Sequence, residues 1–371
     1  MARTQDTLYR EIDLELSWSE RDLPERERTK HVHRLHPYLG KFIPQLVEAL
    51  LARYVPAGGH VLDPFAGSGT TLVQALESGH DATGVDIAAF NTLLTSVKTR
   101  EYNLFTLERE LRDACARVEA CNGDEASLRP SPFVRRWFAP ASANDLLNFR
   151  SLVDEYEHAD VMRVVLARAA RSARLTTHFD LDFPRAPQRT PYWCHKHKRE
   201  CRPVQAAAHF LRRYALDTAT RVKSFARVRK RGRTARVLHG DAREIDLGGP
   251  YEAVLTSPPY PGLIDYHEQH RYAYELLDLE DCGANELGRG SSQRAIADYV
   301  TGIAQVLQRS AQCARTGARV IVVVNDRRGL YPEILERAGL TLEHRLRRHV
   351  NRRTGRRAGE FFEDVLVARK L

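Results

Sequence analysis

The stretch Val61-Leu62-Asp63-Pro64-Phe65-Ala66-Gly67-Ser68-Gly69-Thr70-Thr71 decides the fold. His60-Val61-Leu62-Asp63 reads as a buried strand, and Thr70 to Ser78 as the helix after it. Between them Gly67 and Gly69 let the backbone turn sharply and approach a ligand closely. Strand, glycine-rich turn and helix form the repeating unit of doubly wound nucleotide-binding sheets. Gly69 is followed by Thr70 and Thr71 rather than by Lys, which argues against a phosphate-cradling NTPase loop. A second strand, His80-Asp81-Ala82-Thr83-Gly84-Val85-Asp86, ends on an acid 23 residues after Asp63. That spacing suits a carboxylate accepting both hydroxyls of a ribose, with a helix N-cap as the competing reading.

Far downstream, the apolar run Tyr251-Glu252-Ala253-Val254-Leu255 leads into Thr256-Ser257-Pro258-Pro259-Tyr260. This is a buried strand that stops on two prolines and presents an aromatic ring. Neither proline has a backbone N–H, so the strand ladder cannot continue through them. The carbonyls of Ser257 and Pro258 are then left to accept hydrogen bonds from something else. An acceptor-rich rim beside a Tyr face suits a planar base carrying an exocyclic amine.

Together the two stretches resemble the amino-methyltransferases of nucleic acids, which use S-adenosylmethionine to methylate exocyclic amines of adenine or cytosine. Asp63-Pro64-Phe65-Ala66-Gly67-Ser68-Gly69 matches that family's cofactor loop, and Ser257-Pro258-Pro259-Tyr260 its catalytic tetrapeptide. The resemblance implies cofactor contacts at Asp63, Phe65, Gly67, Ser68, Gly69 and Thr70, with Asp86 on the ribose. Strand-Gly-Asp at Val237-Leu238-His239-Gly240-Asp241 corresponds to the adenine end of the cofactor, which makes Asp241 a candidate beside a plain loop cap. The segment His36-Pro37-Tyr38-Leu39-Gly40-Lys41-Phe42-Ile43-Pro44 is similar to one that wraps the methionine end, a role carried to Lys41, Phe42 and Ile43.

The same resemblance implies direct attack on a flipped-out base. Ser257 and the Pro258 carbonyl would accept from the amine, while Tyr260 stacks on the ring. Alignment of amine, methyl and sulfur is the main demand, because the sulfonium is already activated. No cysteine lies in the Pro-Cys setting that ring-carbon methyltransferases use. Within the family Ser at the first tetrapeptide position goes mostly with cytosine N4, and Asp or Asn mostly with adenine N6. The expectation is therefore a site-specific DNA methyltransferase of the cytosine-N4 type. An adenine-N6 enzyme, an RNA amino-methyltransferase and a non-catalytic nucleic-acid binder stand as alternatives.

The chain has 371 residues, 43% hydrophobic and 28% charged, which is enough for one large domain or two ordinary ones. The expected fold is α/β, a doubly wound Rossmann-like methyltransferase sheet with an antiparallel C-terminal hairpin from Thr341–Val350 and Glu360–Ala368. Residues 31–100 and 235–371 form the catalytic domain, residues 101–234 a mostly helical target-recognition insertion, and residues 1–30 an arm. Amphipathic spacing over Leu104–Ala120 and helical spacing over Val161–Arg174 place helices in the insertion. A loop rich in Pro, Arg and aromatics follows at 183–193, and a loop of that size is usually functional.

No run of about 18 uncharged apolar residues exists, and the N-terminus is charged, so a cytoplasmic protein without a membrane span is expected. The formal charge of +9 favours a polyanionic partner, here double-stranded DNA. Arg221 to Arg236 holds eight Lys or Arg and no acid, and Arg345 to Arg357 holds seven Arg and no acid. From these runs Arg229, Lys230, Arg231, Arg352, Arg353, Arg356 and Arg357 are the expected phosphate contacts. A companion restriction nuclease is a further partner that the family resemblance allows. Six scattered cysteines argue against a disulfide framework. Cys194-His195-Lys196-His197-Lys198-Arg199-Glu200-Cys201 crowds its candidate ligands into eight positions, two of them adjacent. That is unlike the paired ligands of structural zinc sites, so it reads as a basic loop facing nucleic acid, with no metal.

Overall fold

A computed structural model describes residues 16–18, 22–121, 126–181, 184–262, 265–350 and 361–370. In chain order its main elements begin with α1 (Pro44–Tyr54), β1 (His60–Asp63), α2 (Thr70–Ser78), β2 (Asp81–Asp86) and α3 (Ala89–Thr99). There follow α4 (Leu104–Ala120), α5 (Pro132–Trp137), α6 (Pro140–Leu152), α7 (Ala159–Ala173), β3 (Tyr192–Cys194), β4 (Arg199–Cys201) and α8 (Ala208–Val228). The chain continues with β5 (Ala235–His239), β6 (Tyr251–Thr256), α9 (Tyr266–Gln269), α10 (Arg271–Leu277), α11 (Gln293–Gln312), β7 (Ala314–Val324), α12 (Tyr331–Arg337), β8 (Leu340–Val350) and β9 (Phe361–Lys370).

Two compact units share these elements. The first comprises residues 1–99, 228–264 and 282–371, the second residues 100–227 and 265–281. The first unit holds a seven-stranded sheet of order β5-β2-β1-β6-β7-β9-β8. β5, β2, β1, β6 and β7 run parallel; β9 pairs antiparallel with both β7 and β8. This is the doubly wound sheet with a C-terminal antiparallel hairpin that the sequence leads one to expect. The strand order turns back between β1 and β6, where Val61 pairs with Ala253 and Leu62 with Val254. The carboxyl ends of those two strands are therefore neighbours, and both glycine loop and proline loop start there.

The apolar runs are continuous because both sheet faces are covered. Val254, Val320, Val322 and Val324 pack on one side with Ile303, Leu307 and Ile334 of α11 and α12. Ala253, Leu255, Ile321 and Val323 pack on the other with Leu46, Leu50 and Leu72 of α1 and α2. The period-2 alternation of a strand divides neighbouring residues between the two cores.

The second unit is mostly helical. Its internal ties are polar as well as apolar: Glu110 on α4 accepts from the His158 amide at 3.1 Å, and its Oε2 lies 2.7 Å from His158 Nδ1. The buried Arg168 donates to Thr218 Oγ1 at 2.6 Å and is ion-paired with Asp217. The bounds of the compact units differ from those of the expected domains. α9 and α10, placed by sequence in the catalytic domain, group with the helical unit, whereas residues 228–234 group with the sheet unit. A local helical pattern carries no label for the neighbour it packs on, which is why the two divisions differ. Among the described residues, no helix is long and apolar enough to cross a membrane.

Candidate active site

The glycine loop is built so that its geometry is over-determined. Gly67 and Gly69 both have positive φ, +50° and +76°. A Cβ on Gly69 would also stand 2.7 Å from Thr95 Cγ2, so only glycine fits without displacement. From α3, Thr95 Oγ1 donates to Gly67 O at 3.0 Å and Lys98 Nζ donates to Ser68 O at 2.6 Å. From the end of β2, Asp86 Oδ2 accepts the Gly67 N–H at 2.7 Å. Asp86 Oδ1 accepts from the Ala88 amide and from Asn91 Nδ2, at 2.9 and 3.0 Å. Burial raises the Asp86 pKa, partly offset by those donors. Oδ1 is thus fully used, and Oδ2 keeps one lone pair for a further donor.

Asp63 and Thr256, the terminal residues of β1 and β6, join the two loops. Thr256 Oγ1 donates to Asp63 Oδ1 at 2.6 Å, and the Phe65 amide donates to the same oxygen at 3.1 Å. Burial pushes the Asp63 carboxyl up to about 6, against the lowering effect of its hydrogen bonds. Asp63 is only 1% exposed, so it acts as the clamp between loops rather than as an open ligand contact.

Beside the glycine loop stand two lysine amines, of which sequence reading found only Lys41. Lys41 Nζ donates to His33 O at 2.7 Å, and burial together with Arg34 lowers its pKa to about 8. Lys98 is 1% exposed, and burial and then Lys41 depress its pKa strongly. Among the described residues no carboxylate is ion-paired with either lysine. His33 is also buried and held neutral by burial and by these cations. Ser68 Oγ is buried with no hydrogen-bond partner. An orphaned hydroxyl and two lysine amines, Lys98 buried and Lys41 half-buried, beside a helix N-terminus fit a ligand carrying a carboxylate, as the amino-acid end of S-adenosylmethionine does. Lys98 escaped sequence reading because nothing in Ala89–Thr99 distinguishes a buried lysine from a solvated one. Phe42 is buried in the core beside α1, and Phe65 packs on the opposite core face together with Tyr260. Thr70, the first residue of α2, is buried.

The proline loop has the opposite character. Ser257 Oγ donates to Val323 O of β7 at 2.9 Å, which leaves only its lone pairs to face another group. Pro258 is buried, while Ser257, Pro259 and Tyr260 are half-buried. The loop is held from a segment with no sequence signal for it: the Gly262 amide donates to Gly288 O at 2.8 Å, and Gly288 lies against Pro259 and Tyr260. Behind it, the Tyr299 and Tyr331 hydroxyls pair at 2.9 Å in the core.

Three expectations change. Asp241 is not an open acceptor: burial alone would raise its pKa, but a bidentate Arg243 and the Arg243 amide hold it below the ordinary value. Any ligand there competes with the guanidinium. Arg229 is a structural tie rather than a phosphate contact, since its guanidinium donates to Thr99 O and, at 2.8 Å, to Arg233 O. Lys230 and Arg231 are exposed, but Arg221, Lys223 and Arg233 in the same run are paired with Asp217, Glu108 and Asp81. Arg352, Arg353, Arg356 and Arg357 lie outside the described residues, and Arg345 and Arg348 beside them pair with Asp364 and Glu363. Finally, Cys194–Cys201, expected as a basic loop facing nucleic acid with no metal, is a hairpin, β3–β4, with both cysteines buried. Its His197 and both cysteines meet His178, which lies outside the crowded eight positions.

Comparison with known proteins identifies the family. The N6/N4 methyltransferase family, described as DNA methylase, matches residues 4–92. Type II methyltransferase M.MjaII of Methanocaldococcus jannaschii is 33% identical over 430 aligned positions, covering 92% of this chain and 81% of that protein. Type II methyltransferase M.MvaI of Kocuria varians is 22% identical over 272 positions, 67% of this chain and 58% of that protein. Among solved structures, the rRNA methyltransferase AviRa of Streptomyces viridochromogenes aligns over 90% of this chain and 88% of its own, at 13% identity and a TM-score of 0.37. With the glycine loop, the proline loop and the sheet between them in place, the chain belongs to the N4/N6 family of S-adenosylmethionine-dependent DNA methyltransferases.

Proposed function

We propose that the chain methylates the exocyclic N4 amine of cytosine in double-stranded DNA, at a specific site, by direct attack on a flipped-out base. One observation carries the chemistry: Ser257 gives its only hydroxyl hydrogen to Val323 O, so its Oγ can do nothing but accept. Followed by two prolines without N–H groups, it forms a rim suited to an amine donor and unsuited to a carbonyl edge. An exocyclic amine is a poor nucleophile because its lone pair is delocalised into the ring. Acceptance of its hydrogens by Ser257 Oγ and the Pro258 carbonyl concentrates that lone pair on nitrogen. Tyr260 offers a stacking face for the base. Cytosine rather than adenine rests on Ser257 standing where the family's adenine enzymes mostly carry Asp or Asn.

The cofactor supplies an activated methyl on a sulfonium. Lys41, Lys98 and Ser68 Oγ would take its carboxylate end, Asp86 Oδ2 one ribose hydroxyl, and Gly67 and Gly69 allow close approach. The helical unit with its exposed basic residues is the proposed target-recognition region, and Lys230 and Arg231 are proposed phosphate contacts.

The test is methyl transfer from radiolabelled S-adenosylmethionine to duplex DNA, with the product digested to nucleosides. Label in N4-methylcytosine is the expected result. Label in N6-methyladenine would keep the mechanism and overturn the reading of Ser257, and label only in RNA would overturn the DNA substrate.

A further inference from the structure

The helical unit contains a cluster with no place in methyl transfer. His178, Cys194, His197 and Cys201 each present a ligand atom, and the four lie within 4.8 Å of one another. We propose that they form a structural zinc site that holds the β3–β4 hairpin to the loop carrying His178.

The donor set and spacing argue for zinc first. Two thiols and two imidazoles are a borderline-soft S2N2 set, which favours tetrahedral zinc over hard cations. Cys194 and His197 are three positions apart, His197 and Cys201 four, and His178 completes the set from 16 residues upstream. The crowding that spoke against a metal came from counting His195, which is not part of the tetrad. Distances agree as well. Cys194 Sγ lies 3.4 Å from His178 Nδ1, and His197 Nδ1 lies 3.4 Å from Cys201 Sγ. Ligands about 2.3 Å (S) and 2.05 Å (N) from a tetrahedral ion stand about 3.5 Å apart.

The local fold points the same way. Tyr192 pairs with Cys201 and Cys194 with Arg199, so both cysteines project from one face of the hairpin while Trp193 projects from the other, 58% exposed. The turn brings His197 back, its amide donating to Cys194 O at 3.1 Å. Tyr192 Oη accepts the His178 amide at 3.2 Å, anchoring the fourth ligand. Oη also lies 2.9 Å from His178 Nδ1, a contact the metal would take over. A two-stranded sheet of three residues per strand is too small to persist on its own. The cysteines are free thiols, so no disulfide supplies the missing cross-link. Two thiolates neutralise a divalent ion, so the site adds no charge to a hairpin already carrying Lys196, Lys198, Arg199 and Arg202. With four protein ligands the ion has no open position, which makes the site structural rather than catalytic.

The experiment is elemental analysis of the full chain purified without chelator, beside His178→Ala, His195→Ala and Cys194→Ser/Cys201→Ser. The expected result is about one zinc per chain in the parent and in His195→Ala, and at least about a tenfold loss in the other two. Background zinc in the folded parent, or loss in His195→Ala with retention in His178→Ala, would overturn the site. As a readout independent of variants, cobalt(II) exchanged into the parent should give the intense visible bands and thiolate charge transfer of a tetrahedral S2N2 centre. A weak octahedral spectrum would overturn the proposal.

Discussion

The loops after β1 and β6 start side by side at the sheet's turning point yet are chemical opposites. The glycine loop runs into a helix N-terminus and is backed by Lys41, Lys98 and an unpartnered Ser68 hydroxyl. The proline loop has lost two N–H groups, and its serine hydrogen is committed to Val323 O. One brings lysine and hydroxyl donors to its helix end; the other is a surface of acceptors. On the function proposed above, this contrast lets one crevice hold two ligands without confusing them, a carboxylate drawn to the first loop and an amine to the second. Hydrogen-bond polarity sorts them before shape does.

Ser257→Ala is the sharpest way to break that division. Removing an acceptor that acts on the reacting amine is expected to lower kcat by about 10²- to 10³-fold, by analogy with loss of one preorganised transition-state hydrogen bond, with an unchanged cofactor Kd. A weakened cofactor Kd with intact kcat would show that the loops are not separate in function. Asp63→Asn tests the clamp. In the parent the folded-state carboxyl titrates at about 6 against 3.8 when free, so the folded chain keeps a proton that the unfolded chain has lost. Stability therefore falls as pH rises from about 4 to about 6, by up to about 3 kcal/mol, and then levels. The Asn variant should lack this slope in denaturant titrations; parallel curves would refute the buried titration.

Tyr260→Ala should lower turnover about 10- to 100-fold, the worth of one base stack, while leaving cofactor affinity alone. Lys98→Met should do the reverse, raising the cofactor Kd about tenfold with little effect on kcat at saturating cofactor. If the Kd holds, the cations beside the glycine loop do not meet the carboxylate. The smallest effect concerns the basic run. Lys230→Ala/Arg231→Ala should flatten the salt dependence of DNA binding by about one unit of slope for each phosphate no longer neutralised, whereas Arg229→Ala should leave the slope and lower the melting temperature. Equal slopes in all three would remove that run from the interface.

The contrast between the loops was legible in the sequence because it is written in residue types that act locally. Gly67 and Gly69 permit a turn, Pro258 and Pro259 forbid a ladder, and the apolar runs before them fix the strands. What was illegible depends on partners distant in the chain. Arg229 looks like any basic residue until Thr99 and Arg233 are seen to accept from it. Lys98 looks solvated until it is found under Ser68. His178 means nothing until the hairpin folds back to it. Charge and donor type are read from sequence; commitment of that charge to a neighbour is not.

The division of the chain into interleaved units has a consequence for how it is made and how it can be cut. The helical unit needs α9 and α10, whose Tyr272, Leu276 and Leu277 are buried. These lie beyond β1, β2, β5 and β6 in the order of synthesis. A nascent chain therefore presents four strands of the sheet before the helical unit can close, so the two must mature together rather than in succession. For the same reason residues 100–227 are not an exchangeable cassette. A graft that swaps them alone strands an apolar helix face without its complement, so a transplant of the helical unit has to carry residues 265–281 along with them.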